Sequence, residues 1–332
     1  MTAPAVVPRS KASKRARLRM RAGAVLVDGF FRGASRLGRL HPLANPQRHG
    51  VTVVRDVPYT DSAVPEHRLD IYCPTHATGP VPVVFYAHGG GFRILSKDTH
   101  WLMALAYARR GYVVVSINYR LAPQHPFPAA VQDACQAYVW MTRNIGAYGG
   151  DLSRLVLAGE SAGANLATSL AIAACYPRAE PYARAVFDTG VVPGVVAPAC
   201  GVLQVSDAQR FSRRKKIPVF IQDRLTEVEH AYVGALRGAT AAQLELANPL
   251  LVLEQGRAPE RPLPPFFAPV GTMDPLLDDT RRLKAALDRL GVPCQALYYP
   301  GEIHAFHAFV MRANARRCWR DTFAFLDEHL KA

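Results

Sequence analysis

The chain has 332 residues, 49% of them hydrophobic and 20% charged, the balance of a globular enzyme with one large α/β domain and room for a smaller appendage. Its net charge of +14 is unevenly placed: the first 40 residues hold ten Lys/Arg against one acid, Asp28, and so carry +9. The basicity therefore belongs to a tail rather than to the fold. No aromatic interleaving or reader motif accompanies it, so nucleic acid is not an expected partner.

Residues 1–14 are expected to lack order. Over residues 15–31, Leu18, Ala22, Val25, Leu26 and Phe30 recur at helical spacing, with Arg15, Arg17, Arg19 and Arg21 off that face. The expectation is a helix packed on the main domain by its apolar face. The sharper alternative is a helix that also touches anionic lipid. No span suits a transmembrane helix: 22–27 is short and is followed by Asp28, and Pro193 and Pro198 break 189–203. Residues 41–50 form a connector. The six cysteines show no C-x-x-C spacing and read as reduced core residues, which suits a cytoplasmic setting, with membrane association as a second expectation.

Strands are expected at 51–59 and 68–73 as an antiparallel pair, then at 81–87, 112–118, 154–159, 202–205, 265–271 and 294–299. Helices are expected at 99–110, 128–145, 161–175, 278–290 and 308–330. Apolar strands alternating with helices imply an α/β fold, an eight-stranded and mostly parallel sheet with helices on both faces.

Two motifs sit at strand ends. The run ending in Gly159-Glu160-Ser161-Ala162-Gly163 passes straight into a small-residue helix pattern, which places Ser161 on a tight strand–turn–helix elbow. Upstream, Val81–Ala87 runs into His88-Gly89-Gly90-Gly91, whose backbone N–H groups can converge on a developing oxyanion. A serine hydroxyl needs an adjacent base, and the base an orienting acid. The loops after the last two strands offer Asp274, with Asp278 and Asp279 as rivals, and His304, with His307 as rival. Asp274 lies closest to its strand end, while Asp278 and Asp279 suit a helix N-terminus. Asp133 reads as a buried, hydrogen-bonded carboxylate.

These stretches, with Asn118-Tyr119-Arg120-Leu121-Ala122-Pro123, Gly149-Gly150-Asp151 and His304-Ala305-Phe306, resemble the hormone-sensitive lipase-like branch of the α/β-hydrolase superfamily. The resemblance spans roughly residues 80–310. It implies a serine esterase acting on short- to medium-chain acyl esters, with Ser161, Asp274 and His304 as triad and no cofactor or metal. It also implies oxyanion donors at Gly90, Gly91 and Ala162, with His88, Gly89 and Glu160 as supporting motif residues. Glu160 stands where many relatives have Asp. The core would comprise 49–207 and 263–332, under a helical cap formed by 1–48 and 208–262. The alternatives are a ligand-binding receptor on the same scaffold, and an amidase or lactonase using the same residues. The expected partner is a small acyl ester, with peripheral membrane contact through the basic segment as a further expectation.

Overall fold

The computed structural model describes residues 14–214, 216–236 and 238–330; of the segment expected to lack order, only Lys14 falls within them, at the start of the first helix. Helix α1 spans Lys14–Arg39, and two short 3₁₀ turns lead from it to β1, Val51–Pro58. Then follow β2 (Arg68–Pro74), β3 (Val81–Ala87), α2 (Trp101–Ala108), β4 (Val113–Ile117), α3 (Ala129–Asn144), β5 (Gly150–Glu160) and α4 (Ala162–Cys175). After α5 (Pro181–Asp188) come β6 (Val195–Ala199), α6 (Arg210–Arg214), α7 (Val219–Tyr232) and α8 (Pro249–Glu254). The chain closes with β7 (Phe266–Gly271), α9 (Leu277–Arg289), β8 (Cys294–Tyr299) and α10 (Ala313–His329).

The eight strands form one sheet in the order β1-β2-β4-β3-β5-β6-β7-β8. Strand β2 runs antiparallel to both β1 and β4, and β3 through β8 are parallel. Successive residues feed opposite faces, as the two-residue period of a strand requires. On one face Val83, Phe85, Val115 and Leu157 pack with α3, α4 and α9; on the other Val84, Tyr86, Val114 and Val156 meet Met103 of α2 and Phe325 of α10. Helix α4 is buried at every residue, which explains its run of Ala, Gly and Ser: only small side chains let it lie against the middle of the sheet.

One strand lies elsewhere than expected. The sixth is Val195–Ala199, and residues 202–205 are loop. Pro198 hides the strand, because a proline within a run argues against a central position. Here it is tolerated on one edge. Val196 N–H donates to Pro265 and Cys200 N–H to Pro269, so alternation puts position 198 on the β7 side, where its missing donor costs one ladder bond. Residues 203–205 instead donate their N–H groups to the Asp279 and Asn248 side chains.

Helix α1 docks, but not by the face its periodicity suggests. Val25, Leu26 and Phe30 are 72%, 72% and 62% exposed. Leu18 and Ala22 lie on residues whose side chains are outside those described. The docked face is polar and small. Arg19 pairs with Asp223 of α7, Gly23 abuts Arg224, Asp28 accepts from the Leu95 N–H at 3.3 Å, and Ser35 accepts from the Trp101 indole at 3.1 Å. The surfaces of α7 and of the segment leading into α2 offer charges and hydrogen-bonding groups, so they select the complementary face and leave the apolar stripe outside. No helix among the described residues is long and apolar enough to cross a membrane.

Candidate active site

Strand β5 ends at Glu160, and α4 begins at Ala162, leaving Ser161 alone to make the turn. It does so at φ 54°, ψ −112°, a backbone position unfavourable for a residue with a Cβ. The elbow is held from three sides: Ser161 N–H donates to the Ala199 carbonyl at 3.0 Å, and its own carbonyl accepts from Asn165 and Val202. Helix and sheet approach so closely that a Cβ at Gly163 would lie 2.0 Å from the Ala87 carbonyl oxygen.

Beside the elbow, β3 runs into His88 and the three glycines. Gly90 has φ 119°, and a Cβ there would meet the Ile94 carbonyl oxygen at 2.0 Å. Among the described residues the Gly90 and Gly91 N–H groups have no protein acceptor. Ala162, first residue of α4, has no helical carbonyl four residues back to receive its N–H. His88 stacks on Tyr119 with ring centroids 4.2 Å apart and bonds the Gly89 carbonyl at 2.6 Å. Burial, with His100 nearby, pushes its pKa down to about 3, so it is a neutral structural ring.

The loop after β7 carries Asp274 and the loop after β8 carries His304. His304 Nδ1 lies 2.8 Å from Asp274 Oδ2, and the other Asp274 oxygen accepts from Leu276 N–H at 2.8 Å. Burial opposes charge on the His304 ring, but the Asp274 carboxylate outweighs it and holds the pKa well above the ordinary imidazole value. No hydrogen bond joins Ser161 Oγ to the ring among the described residues. The rival residues are engaged elsewhere. Asp278 pairs with Arg214. Asp279 is fully buried and accepts from Arg210 at 2.8 Å and from Leu203 and Gln204 N–H, a cross-chain tie rather than a helix cap. His307 lies 2.9 Å from Glu160.

Two neighbours, His100 and Cys200, escape motif reasoning. Glu160 is held between His307 and His100, each at 2.9 Å from a carboxylate oxygen. Burial favours its neutral form, yet His100 and then His307 keep its pKa well below the ordinary carboxylate range. Cys200, after β6, brings its sulfur to the His304–Asp274 pair, and one ligand-type atom from each of the three lies within 4.8 Å of the others. This is the one cluster of metal-ligand type among the described residues, and the bond between the Asp274 and His304 side chains already occupies two of its members. Asp133, as expected, is a buried acceptor, bonded by Arg120 and His67.

Over residues 84–308 the sequence matches the model of a family described by its alpha/beta hydrolase fold. The chain belongs to the α/β-hydrolase family. It is 31% identical over 244 residues to the carboxylesterase NlhH of Mycobacterium tuberculosis, covering 73% of this chain and 71% of that one. The crystal structure of the esterase LipW from Mycobacterium marinum superposes with a TM-score of 0.71 at 25% identity, covering 96% of this chain and 94% of the other. A hyperthermophilic esterase from Pyrobaculum calidifontis gives 0.71 at 26% identity, with 96% and 99% coverage. This hydrolase is a carboxylic ester hydrolase whose substrate is a small-molecule ester.

Proposed function

We propose that the protein hydrolyses short- to medium-chain acyl esters through a Ser161–His304–Asp274 triad and an acyl-enzyme. The observation that carries this is the 2.8 Å Asp274–His304 hydrogen bond beyond the ends of β7 and β8, in the sheet whose β5 ends at the strained Ser161 elbow. Ser161 Oγ attacks the ester carbonyl as His304 Nε2 takes its proton. Asp274 holds the ring with Nδ1–H toward it and stabilises the imidazolium. The Gly90, Gly91 and Ala162 N–H groups receive the charge on the carbonyl oxygen. The proton then passes from His304 to the departing alcohol, and water, deprotonated by the same ring, releases the acid. The serine–histidine contact closes when substrate is bound, as catalytic hydrogen bonds commonly do.

Residues 1–48 and 208–262 act as the cap over the core, 49–207 and 263–332. Helix α7 supports this: a Cβ at Gly91 would meet Val228, Tyr232 stacks on Phe92 at 3.7 Å, and Arg93 pairs with Glu227 at 2.5 Å. A helix seated so near the oxyanion loop leaves modest room for an acyl chain. Six free thiols, four of them buried, support a reducing, cytoplasmic setting. The exposed Val25, Leu26 and Phe30, within a segment of charge +9, support peripheral contact with an anionic membrane. Hydrolysis of p-nitrophenyl esters from acetate to palmitate, beside matched lactones and anilides, is the test. Maximal kcat/KM at four to eight acyl carbons is expected; a lactone or anilide as best substrate, or no turnover, would replace the reading with the amidase, lactonase or receptor one.

A further inference from the structure

A basin of about 430 Å³ opens between the C-terminal end of α1, the connector to β1, and the start of α2. Arg39, His41, Arg48, Arg55, Tyr72 and Trp101 line it, and no carboxylate does. Behind the wall, Arg39 and Arg55 lean on Asp98 and Asp70 at 3.6 and 3.3 Å, and Lys97 pairs with Asp56, Asp70 and Asp98 at 2.8, 2.8 and 3.6 Å, three cations against three acids. Arg48 has no ion-pair partner among the described residues. His41 Nδ1 accepts the Leu43 N–H at 3.2 Å, which leaves Nε2 as its donor. Tyr72, only 1% exposed, forms part of the basin wall. The wall thus presents three guanidinium groups and an imidazole with no carboxylate among them, and Arg48 adds a charge that no acid among the described residues meets, the chemistry that draws a phosphate.

Its rim is apolar. Leu37, Leu40 and Leu43 are 70%, 80% and 58% exposed and continue the outer stripe of Val25, Leu26 and Phe30. Within α1 that stripe runs from Val25 to Leu37, about 18 Å at 1.5 Å per residue. A sugar phosphate or free anion has no use for such a rim, whereas an amphiphile has.

We propose that this basin binds the phosphate head group of an anionic lipid, with Leu37, Leu40 and Leu43 resting among its acyl chains. The site deepens, and rests on, the membrane contact proposed for α1. Trp101 lines the basin and gives a direct readout. The full-length protein is titrated with a short-chain, ether-linked phosphatidylglycerol below its micelle concentration; the ether linkage denies the enzyme a scissile ester. A saturable change in tryptophan emission is expected, lost in Trp101→Phe and at least tenfold weaker in Arg48→Glu, whose melting temperature stays that of the unsubstituted protein. Ether-linked phosphatidylcholine and inorganic phosphate should each bind at least tenfold more weakly. No saturable response, equal affinity for phosphatidylcholine, or an unaffected Arg48→Glu would overturn the proposal, and phosphate binding as tightly as the lipid would make this a free-anion site. Co-sedimentation with phosphatidylglycerol vesicles separates the two ideas: pelleting without a response to monomeric lipid overturns the basin and keeps the membrane contact, and the reverse does the opposite. A dimer in sedimentation equilibrium that Leu40→Glu dissolves would assign the stripe to a second copy of the chain and overturn the lipid reading.

Discussion

Ser161 stands out through its Gly-x-Ser-x-Gly elbow, and Asp274 and His304 through their places in the loops after the last two strands, where they are hydrogen-bonded to each other. His100 and Cys200 do not. His100 sits just before a short helix with no motif around it, and Cys200 follows the strand that Pro198 concealed. Neither carries a sequence signal, because each gains its place only from three-dimensional neighbours. At this scale the roles separate cleanly by mutation. Asp274→Asn should lower kcat by about 10³–10⁴-fold, since an amide holds the wrong imidazole tautomer. Asp278→Asn should cost less than about threefold, because its Arg214 pair is largely exposed and of little energetic weight. Equal losses in steady-state assays would reassign the acid. The pH profile has a definite sign. His304 must be neutral to take the serine proton, and Asp274 raises its pKa, so kcat/KM should climb through a midpoint above the ordinary imidazole value of about 6.5. A rate flat from pH 5 to 9 on a soluble ester would remove His304 from the role.

The core strands and helices were legible because their apolar runs and two-residue or 3.6-residue periods directly express burial. What periodicity cannot supply is the partner. It finds the stripe on α1 but not that α7 and the segment before α2 present charges, which select the opposite face. It likewise places Asp279 in a helix's first turn without showing that Arg210, Leu203 and Gln204 converge on it. That carboxylate ties α9 to α6 and to the loop beyond β6. Asp279→Ala leaves the buried Arg210 charge without its carboxylate and two N–H groups without acceptors, and should destabilise the protein by about 3–5 kcal/mol. Calorimetry should then show a melting point lower by roughly 4–7 °C; a drop under about 2 °C would show that the tie is not structural.

Across the whole molecule, the sheet presents the reactive groups and the N-terminal helix joins the segment above them to the surface. Deleting residues 1–48 removes the Arg19–Asp223 and Asp28–Leu95 contacts that link α1 to α7 and to the loop after Gly91. Turnover of octanoate esters should therefore fall more than turnover of acetate esters; parallel losses would deny the segment a part in the cap. Phosphatidylglycerol vesicles should pellet the full-length protein at low salt and release it near 1 M, where the screening length shrinks to about 3 Å; protein left in the low-salt supernatant would refute the membrane contact. The proposed ester chemistry depends on one covalent event at Ser161. Treating the protein with diethyl p-nitrophenyl phosphate and mapping the adduct by peptide mass spectrometry tests that event most directly. The account predicts one diethylphosphoryl group per chain, on Ser161, in step with loss of esterase activity, and none on folded Ser161→Ala. An adduct on another residue, or full activity in a protein labelled at Ser161, would contradict it.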